Sequence, residues 1–166
     1  MVRGLLILIV ASTLAACASV HRLDAANDVH ALLLSIRDDD QATFDAHVDR
    51  AALKKELQAK LDERLAKDDR LKGLAALLGP QMVDFAGDAL VQPRVFKMVA
   101  EQYGYTPATK IPGPVVIATA LKELPDGRVC ATKKKDGPCQ LVFTKEQGVW
   151  KLTSFEGDTS MLRIKL

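Results

Sequence analysis

Histidine and cysteine are the side chains best placed for proton transfer, nucleophilic attack and metal binding near neutral pH, and this chain has three of each. His21, His30 and His47 show no His-Glu-x-x-His spacing, so no single helix presents a pair of zinc ligands. Ser19, Ser35, Ser154 and Ser160 stand in no Gly-x-Ser-x-Gly elbow, and neither a Walker loop nor Gly-x-Gly-x-x-Gly is present. Asp38, Asp39 and Asp40 are consecutive, which suits capping and solvation better than paired acid–base work. The run DDDQATFD does not alternate oxygen ligands as a calcium loop must. Cys130 and Cys139 flank ATKKKDGP with no Cys-x-x-Cys and no nearby His, which weakens a redox or zinc reading of the pair. These patterns predict no catalytic residues, no cofactor and no metal.

The remaining cysteine has a different context. The chain opens MVRGLLILIVASTLAACASV: Arg3 makes a positive n-region, Leu5 to Val10 supply most of an apolar stretch, and small residues follow. That is the order of a secretory signal peptide, and the apolar run is shorter than the roughly 20 residues a spanning helix needs. Leu14-Ala15-Ala16-Cys17 resembles the lipobox of bacterial lipoproteins. The resemblance implies diacylglyceryl transfer to the Cys17 thiol, cleavage after Ala16 and acylation of the new amine, with Ala18 favouring the outer membrane. Two or more acyl chains give stable anchoring, so the expected location is the cell envelope, lipid-anchored and facing the periplasm. Cys130 and Cys139 would then share an oxidising compartment and are expected to form a disulfide. A hairpin centred between Lys134 and Lys135 would set them opposite each other. Lys133, Lys134 and Lys135 at its tip serve as a solubilising turn or, alternatively, touch lipid headgroups or anionic polymer.

Composition limits the rest. Of 166 residues, 48% are hydrophobic and 27% charged, and 23 Lys and Arg nearly balance 21 Asp and Glu. A net charge of +2, or +1 once Arg3 is removed, argues against a nucleic-acid partner. The expected organisation is a signal peptide over 1–16, a lipidated tether over 17–23 and one domain over 24–166. Cleavage would leave enough chain to bury an independent core.

The elements that must position any site come in two blocks. Val29, Leu32, Leu33 and Ile36 recur at helical spacing from about Asp24, and the Asp38–Asp40 run ends that helix while offering a cap for the next. Gln41 to Val48 predicts a short helix with Phe44 and Val48 on one face. Asp49 caps a longer one, where Leu53, Leu57, Leu61 and Leu65 form an i, i+4 stripe. Leu71 to Val91 predicts two short helices broken by Gly73, Gly79-Pro80 and Gly87. Its Leu74, Leu77, Leu78, Met82, Val83 and Phe85 are read as core or as a membrane- or ligand-contacting surface. Pro93 opens a helix that Gly104 ends. Strands are then expected at Val115–Leu121, Arg128–Thr132, Gln140–Thr144 and Val149–Phe155, with a short edge strand over Met161–Leu166. Short Gly-containing links favour an antiparallel meander. The fold class is therefore α+β, N-terminal helices packed on a four-stranded antiparallel meander, similar in outline to NTF2-like or cystatin-like domains.

A closer resemblance spans about Asp28 to Phe155. The run LLLSIRDDDQATFDAHVDRAALKKELQAKL, with Arg37, Asp39, Val48-Asp49 and Leu53, and the closing Gly148-Val149-Trp150-Lys151-Leu152, resembles the DUF2939 family of bacterial proteins of unknown function. Arg50 stands where that pattern usually has Phe, and the cysteine-bearing hairpin departs from it. The resemblance supplies no catalytic residue to carry over.

The function expected from these readings is a lipid-anchored, non-catalytic envelope module that binds an envelope protein or a small apolar ligand in a cleft between helices and sheet. The alternatives are an assembly lipoprotein acting through Leu71–Val91, or a small hydrolase whose titratable groups converge only on folding. For the last, the sign would be His30 or His47 meeting a carboxylate within a pocket.

Overall fold

The computed structural model describes residues 2–67, 87–102, 104–134 and 137–155, with side chains from Val20 onward except those of Leu61, Arg64 and Leu65. Among the described residues the named helices are α1 (Val2–Asp38), α2 (Gln41–Ala46), α3 (Arg50–Lys67), α4 (Pro93–Gln102) and α5 (Pro114–Ala120), followed by the strands β1 (Leu121–Glu123), β2 (Val129–Thr132), β3 (Cys139–Glu146) and β4 (Val149–Phe155); residues 87–90 are also helical. The strands form one antiparallel sheet in the order β1-β2-β3-β4. This is an α+β protein.

Local chemistry explains the helix boundaries. Asp39 has φ +58°, a left-handed conformation that Asp tolerates and that ends α1. Asp40 then caps α2, its Oδ1 accepting from Thr43 N–H and its Oδ2 from the Thr43 hydroxyl. Asp49 caps α3 in the same way through Ala52 N–H. Gly104, φ +87°, follows α4 and its N–H bonds the Glu101 carbonyl.

The core lies between the helices and one face of the sheet. Trp150, Phe44, Phe143, Leu53, Leu152 and Val129 are fully buried there, joined by Ala25, Ala26, Val29 and Leu32 of α1. Small Ala25 and Ala26 let α1 approach closely; Phe44 and Phe96 meet edge to face at 5.2 Å. The stripe on α3 divides: Leu53 is fully buried, Leu57 only flanks the core, and the Leu61 and Leu65 side chains lie outside the described residues, as does most of Leu71–Val91. Val91 is buried. Met161–Leu166 also lies outside them.

The free edge of β4 is covered by the link between α2 and α3. Leu152 N–H bonds the His47 carbonyl, Asp49 N–H bonds the Leu152 carbonyl, and Val48 pairs with Leu152 in a parallel bridge. Further along, Phe155 N–H donates to Glu56 Oε2 and Lys60 Nζ to the Phe155 carbonyl. An edge strand that would otherwise expose its polar backbone is thus paired or capped.

Three expectations need correction. Val115–Leu121 is not a strand. Pro114 occupies the first turn of α5 with its φ preset for a helix, and Ile117 and Leu121, four apart, are both buried. Val115 and Val116 are exposed, so the β-branched run that reads as a strand lies on the solvent side of a helix. Second, helix α1 starts well before Asp24 and includes 17–23. Third, Cys130 faces Val142, and Cys139 faces Thr132, with a register shift between Ala131 and Thr132. The cysteines are diagonal across the ladder, not opposite. Gln140 is the extra residue, and because it is left out of the ladder Cys139 takes the place opposite Thr132, on the face that Cys130 occupies. The disulfide forms across that diagonal with the Cα atoms 5.5 Å apart.

Two stability effects are expected. Leu53→Ala should lower unfolding free energy by about 2–5 kcal/mol in denaturant titration, and Leu57→Ala by less, because only the first leaves a closed cavity. Replacing both Cys130 and Cys139 by Ser should cost about 2–3 kcal/mol through loop entropy, and reducing agent should reproduce the loss in the parent protein.

Candidate functional site

Two clusters bring chemically capable side chains together. The first joins α1 to the sheet. Trp150 Nε1 donates to Asp24 Oδ2 at 2.8 Å, Lys145 Nζ donates to the same oxygen at 2.7 Å, and Trp150 N–H donates to Asp28 Oδ2 at 2.7 Å. His21 stacks edge-on against the Trp150 ring at 5.3 Å, and its Nδ1 lies 3.2 Å from Glu123 Oε1. His47 donates from Nδ1 to the Thr43 carbonyl at 2.8 Å, which turns Nε2 toward Asp28 Oδ1 at 3.6 Å. His21 therefore belongs to the folded body: the tether reading missed it because Trp150 is distant in sequence.

Asp24 is the best-bound carboxylate of this cluster. The hydrogen bond from Lys145, then that from Trp150, hold its carboxyl below the ordinary aspartate range. These bonds go to a buried indole and a fixed ammonium, an arrangement that clamps a helix to a sheet. No serine or threonine hydroxyl bonds to His47 or His21 among the described residues, so neither histidine has an activated nucleophile beside it.

The second feature is a cleft of about 380 Å³, within the size range of small-molecule sites. It lies between the last turns of α1, helix α4 and the loop from Tyr105 to Pro112, not between helices and sheet, where Trp150, Phe143 and Leu152 fill the space. Leu33 and Ile36 of α1, Ala100 of α4, and Pro107, Ile111 and Pro112 of the loop make its apolar walls. The loop is held at both ends: Tyr105 N–H bonds the Ala100 carbonyl at 3.1 Å, and His30 Nδ1 donates to the Pro112 carbonyl at 2.9 Å. Between them Thr106 and Thr109 bond each other, Thr106 N–H reaching Thr109 Oγ1 at 2.9 Å.

Most polar groups at the cleft are already engaged. Arg37 forks onto Asp38 through Nε–Oδ1 and Nη2–Oδ2, both 2.7 Å. That contact lowers the Asp38 carboxyl and raises the Arg37 guanidinium from their ordinary ranges. Lys97 Nζ donates to the Arg37 carbonyl at 2.8 Å, capping the C-terminal end of α1.

Of the sequence-predicted site residues, Cys130 and Cys139 meet in the disulfide, on the sheet face opposite the core side chains Val129 and Phe143 and away from the cleft. The side chain of Cys17 lies outside the described residues. His30 and His47 do not converge; His47 meets a carboxylate, but away from the cleft, and His30 meets a carbonyl. The cleft escaped the sequence reading because Leu33 and Ile36 fit the core stripe, and the loop showed only its prolines. Asp24 and Asp28, four apart on α1, were the available signal for a carboxylate pair facing a buried Trp. Among the described residues, no group of three or more His, Cys, Asp or Glu is placed to hold a metal ion. No helix among them is long and apolar enough to cross a membrane.

Fold and site together define a small α+β domain with a helix-walled apolar cleft and a sheet clamped to its longest helix. The chain belongs to the DUF2939 family, described as "Protein of unknown function": its family model matches residues 5–99. The match includes the N-terminal apolar segment and stops within α4, so the closing Gly148–Leu152 run and the disulfide hairpin lie beyond it. No curated protein and no solved structure matches the chain.

The Asp24 clamp sets an acid response. Its folded-state pKa lies below its ordinary value near 3.8, so the stability it supplies is full above about pH 4 and is lost as pH falls through the lower folded value. Asp24→Asn should lower the melting temperature at neutral pH. It should also flatten the decline below about pH 4, which thermal melts at successively lower pH would record.

Proposed function

We propose that this protein is a lipid-anchored cell-envelope module, tethered through Cys17 to the outer membrane and facing the periplasm, that binds a small apolar ligand without transforming it. The observation that carries the binding part is the cleft walled by Leu33, Ile36, Ala100, Ile111 and Pro112, whose loop side is pinned by His30. An apolar recess of that size held open by hydrogen bonds at both ends of its loop loses little order when a ligand enters. The non-catalytic reading rests on the kinds of contact present: His30 and His47 bond backbone carbonyls, and Asp24 bonds an indole and an ammonium. Each is committed to holding the fold.

The anchoring part rests on the order Arg3, apolar Leu5–Val10 and Leu14-Ala15-Ala16-Cys17. The disulfide between Cys130 and Cys139 is compatible with an oxidising compartment. Helix α1 enters the domain with His21 and Asp24 already in contact with the sheet, which leaves few residues of slack after Cys17. The expected arrangement is a body held close to the bilayer with the turns after β1 and β3 nearest to it.

Cys17→Ala tests the anchor. The variant should keep its unprocessed mass and be released or mislocalised, read by intact-protein mass spectrometry and membrane fractionation. A mature mass and membrane fraction equal to those of the parent would refute lipidation at Cys17.

A further inference from the structure

Resting on the reading of the cleft as a ligand site, we propose that its ligand is a hydrophobic cation, a chain or ring whose ammonium pairs with Glu101. Most charges that line the cleft are already satisfied. The Arg37 guanidinium and the Asp38 carboxylate neutralise each other through two 2.7 Å contacts. Lys97 lies four residues before Glu101 on α4, the spacing at which the two would pair. Its ammonium instead turns to the Arg37 carbonyl, at the negative end of the α1 dipole, which offsets roughly half of its charge. Thr106 and Thr109 bond each other. Among the described residues, Glu101 has neither a hydrogen bond nor an ion pair to its side chain, and it is exposed at the cleft.

A ligand entering the cleft therefore meets apolar walls and one uncommitted carboxylate. An anionic head would find Arg37 and Lys97, the two cations that line the cleft, already bonded and Glu101 repelling it. An ammonium would find Glu101, and beside it the exposed ring of Tyr105, whose face attracts cations. The volume of about 380 Å³ corresponds to roughly a dozen molecules the size of water, at about 30 Å³ each. That suits a chain of about eight carbons with its head group.

Position excludes one internal source. Along a helix rising 1.5 Å per residue, Leu33 stands about 24 Å from Cys17, so an acyl chain attached there would be spent spanning the distance and not seated in the cleft. The ligand is therefore not the lipid expected on Cys17.

The test uses the full-length protein in native envelopes and three photoreactive eight-carbon diazirine probes ending in trimethylammonium, carboxylate or alcohol. Labelled peptides are mapped by mass spectrometry. The ammonium probe should label the peptides carrying Leu33, Ile36 and Ala100 at about fivefold lower concentration than the alcohol, as expected for one exposed ion pair with an aromatic contact. Glu101→Gln should remove that advantage and leave alcohol labelling unchanged, which also reports that the cleft is still formed. Preference for the carboxylate probe, or an ammonium preference that survives Glu101→Gln, would overturn the proposal while leaving the apolar site intact. Absence of cleft labelling by all three probes would instead refute the ligand-binding reading on which it rests.

Discussion

Trp150 is the largest side chain fully inside the protein, and its indole N–H cannot be buried without an acceptor. Asp24 supplies that acceptor from α1, and Asp28, one turn later, accepts the Trp150 backbone N–H. These two carboxylates fix both the rotation of α1 about its axis and its position along β4. With the rotation set, Ala25, Ala26, Val29 and Leu32 must face the sheet, and Leu33 and Ile36 fall toward α4. The cleft is thus a consequence of the clamp: it opens where the apolar stripe of α1 is wider than the surface the sheet covers.

The same need to satisfy polar backbone shapes the other side of the core. β4 is an edge strand, and its outward N–H groups at Trp150, Leu152 and Phe155 are taken by Asp28, His47 and Glu56, from three different elements. Val48, read as one face of a short helix, instead extends to pair with Leu152, and Asp49 turns from that pairing directly into the cap of α3. Arg50 forms an ion pair with Asp45 at 2.8 Å and donates to the Val91 carbonyl, so it ties the chain on the far side of α3 to this junction. An aromatic residue at position 50 could make neither contact. The departure from the usual family pattern has a structural use here.

The disulfide shows how one extra residue decides which side chains can meet. Were Gln140 held in the regular ladder opposite Thr132, alternation would place Cys139 beside Leu141 on the core face and Cys130 on the other. With Gln140 in the bulge, both sulfurs lie on one side of the sheet. Cys130 and its partner Val142 are fully buried there, away from the main core.

Local signals in the sequence determined a good deal. Asp40 and Asp49 announce their helices because a short carboxylate followed by free backbone N–H groups is a local arrangement. The run Val149–Phe155 and the Gly148 turn, with φ +88°, are likewise set by neighbours in the chain. The DUF2939 family and the α+β class followed from such patterns. What only the tertiary structure decided are the choices made by distant partners. Val115–Ala120 had a strand-like composition, and packing of Ile117 against the core made it a helix. His21 became part of the body through Trp150, more than a hundred residues away. The cleft needed α1, α4 and the Tyr105–Pro112 loop at once. Caps and turns are encoded within a few residues, whereas burial and charge pairing depend on which surfaces the folded chain brings together.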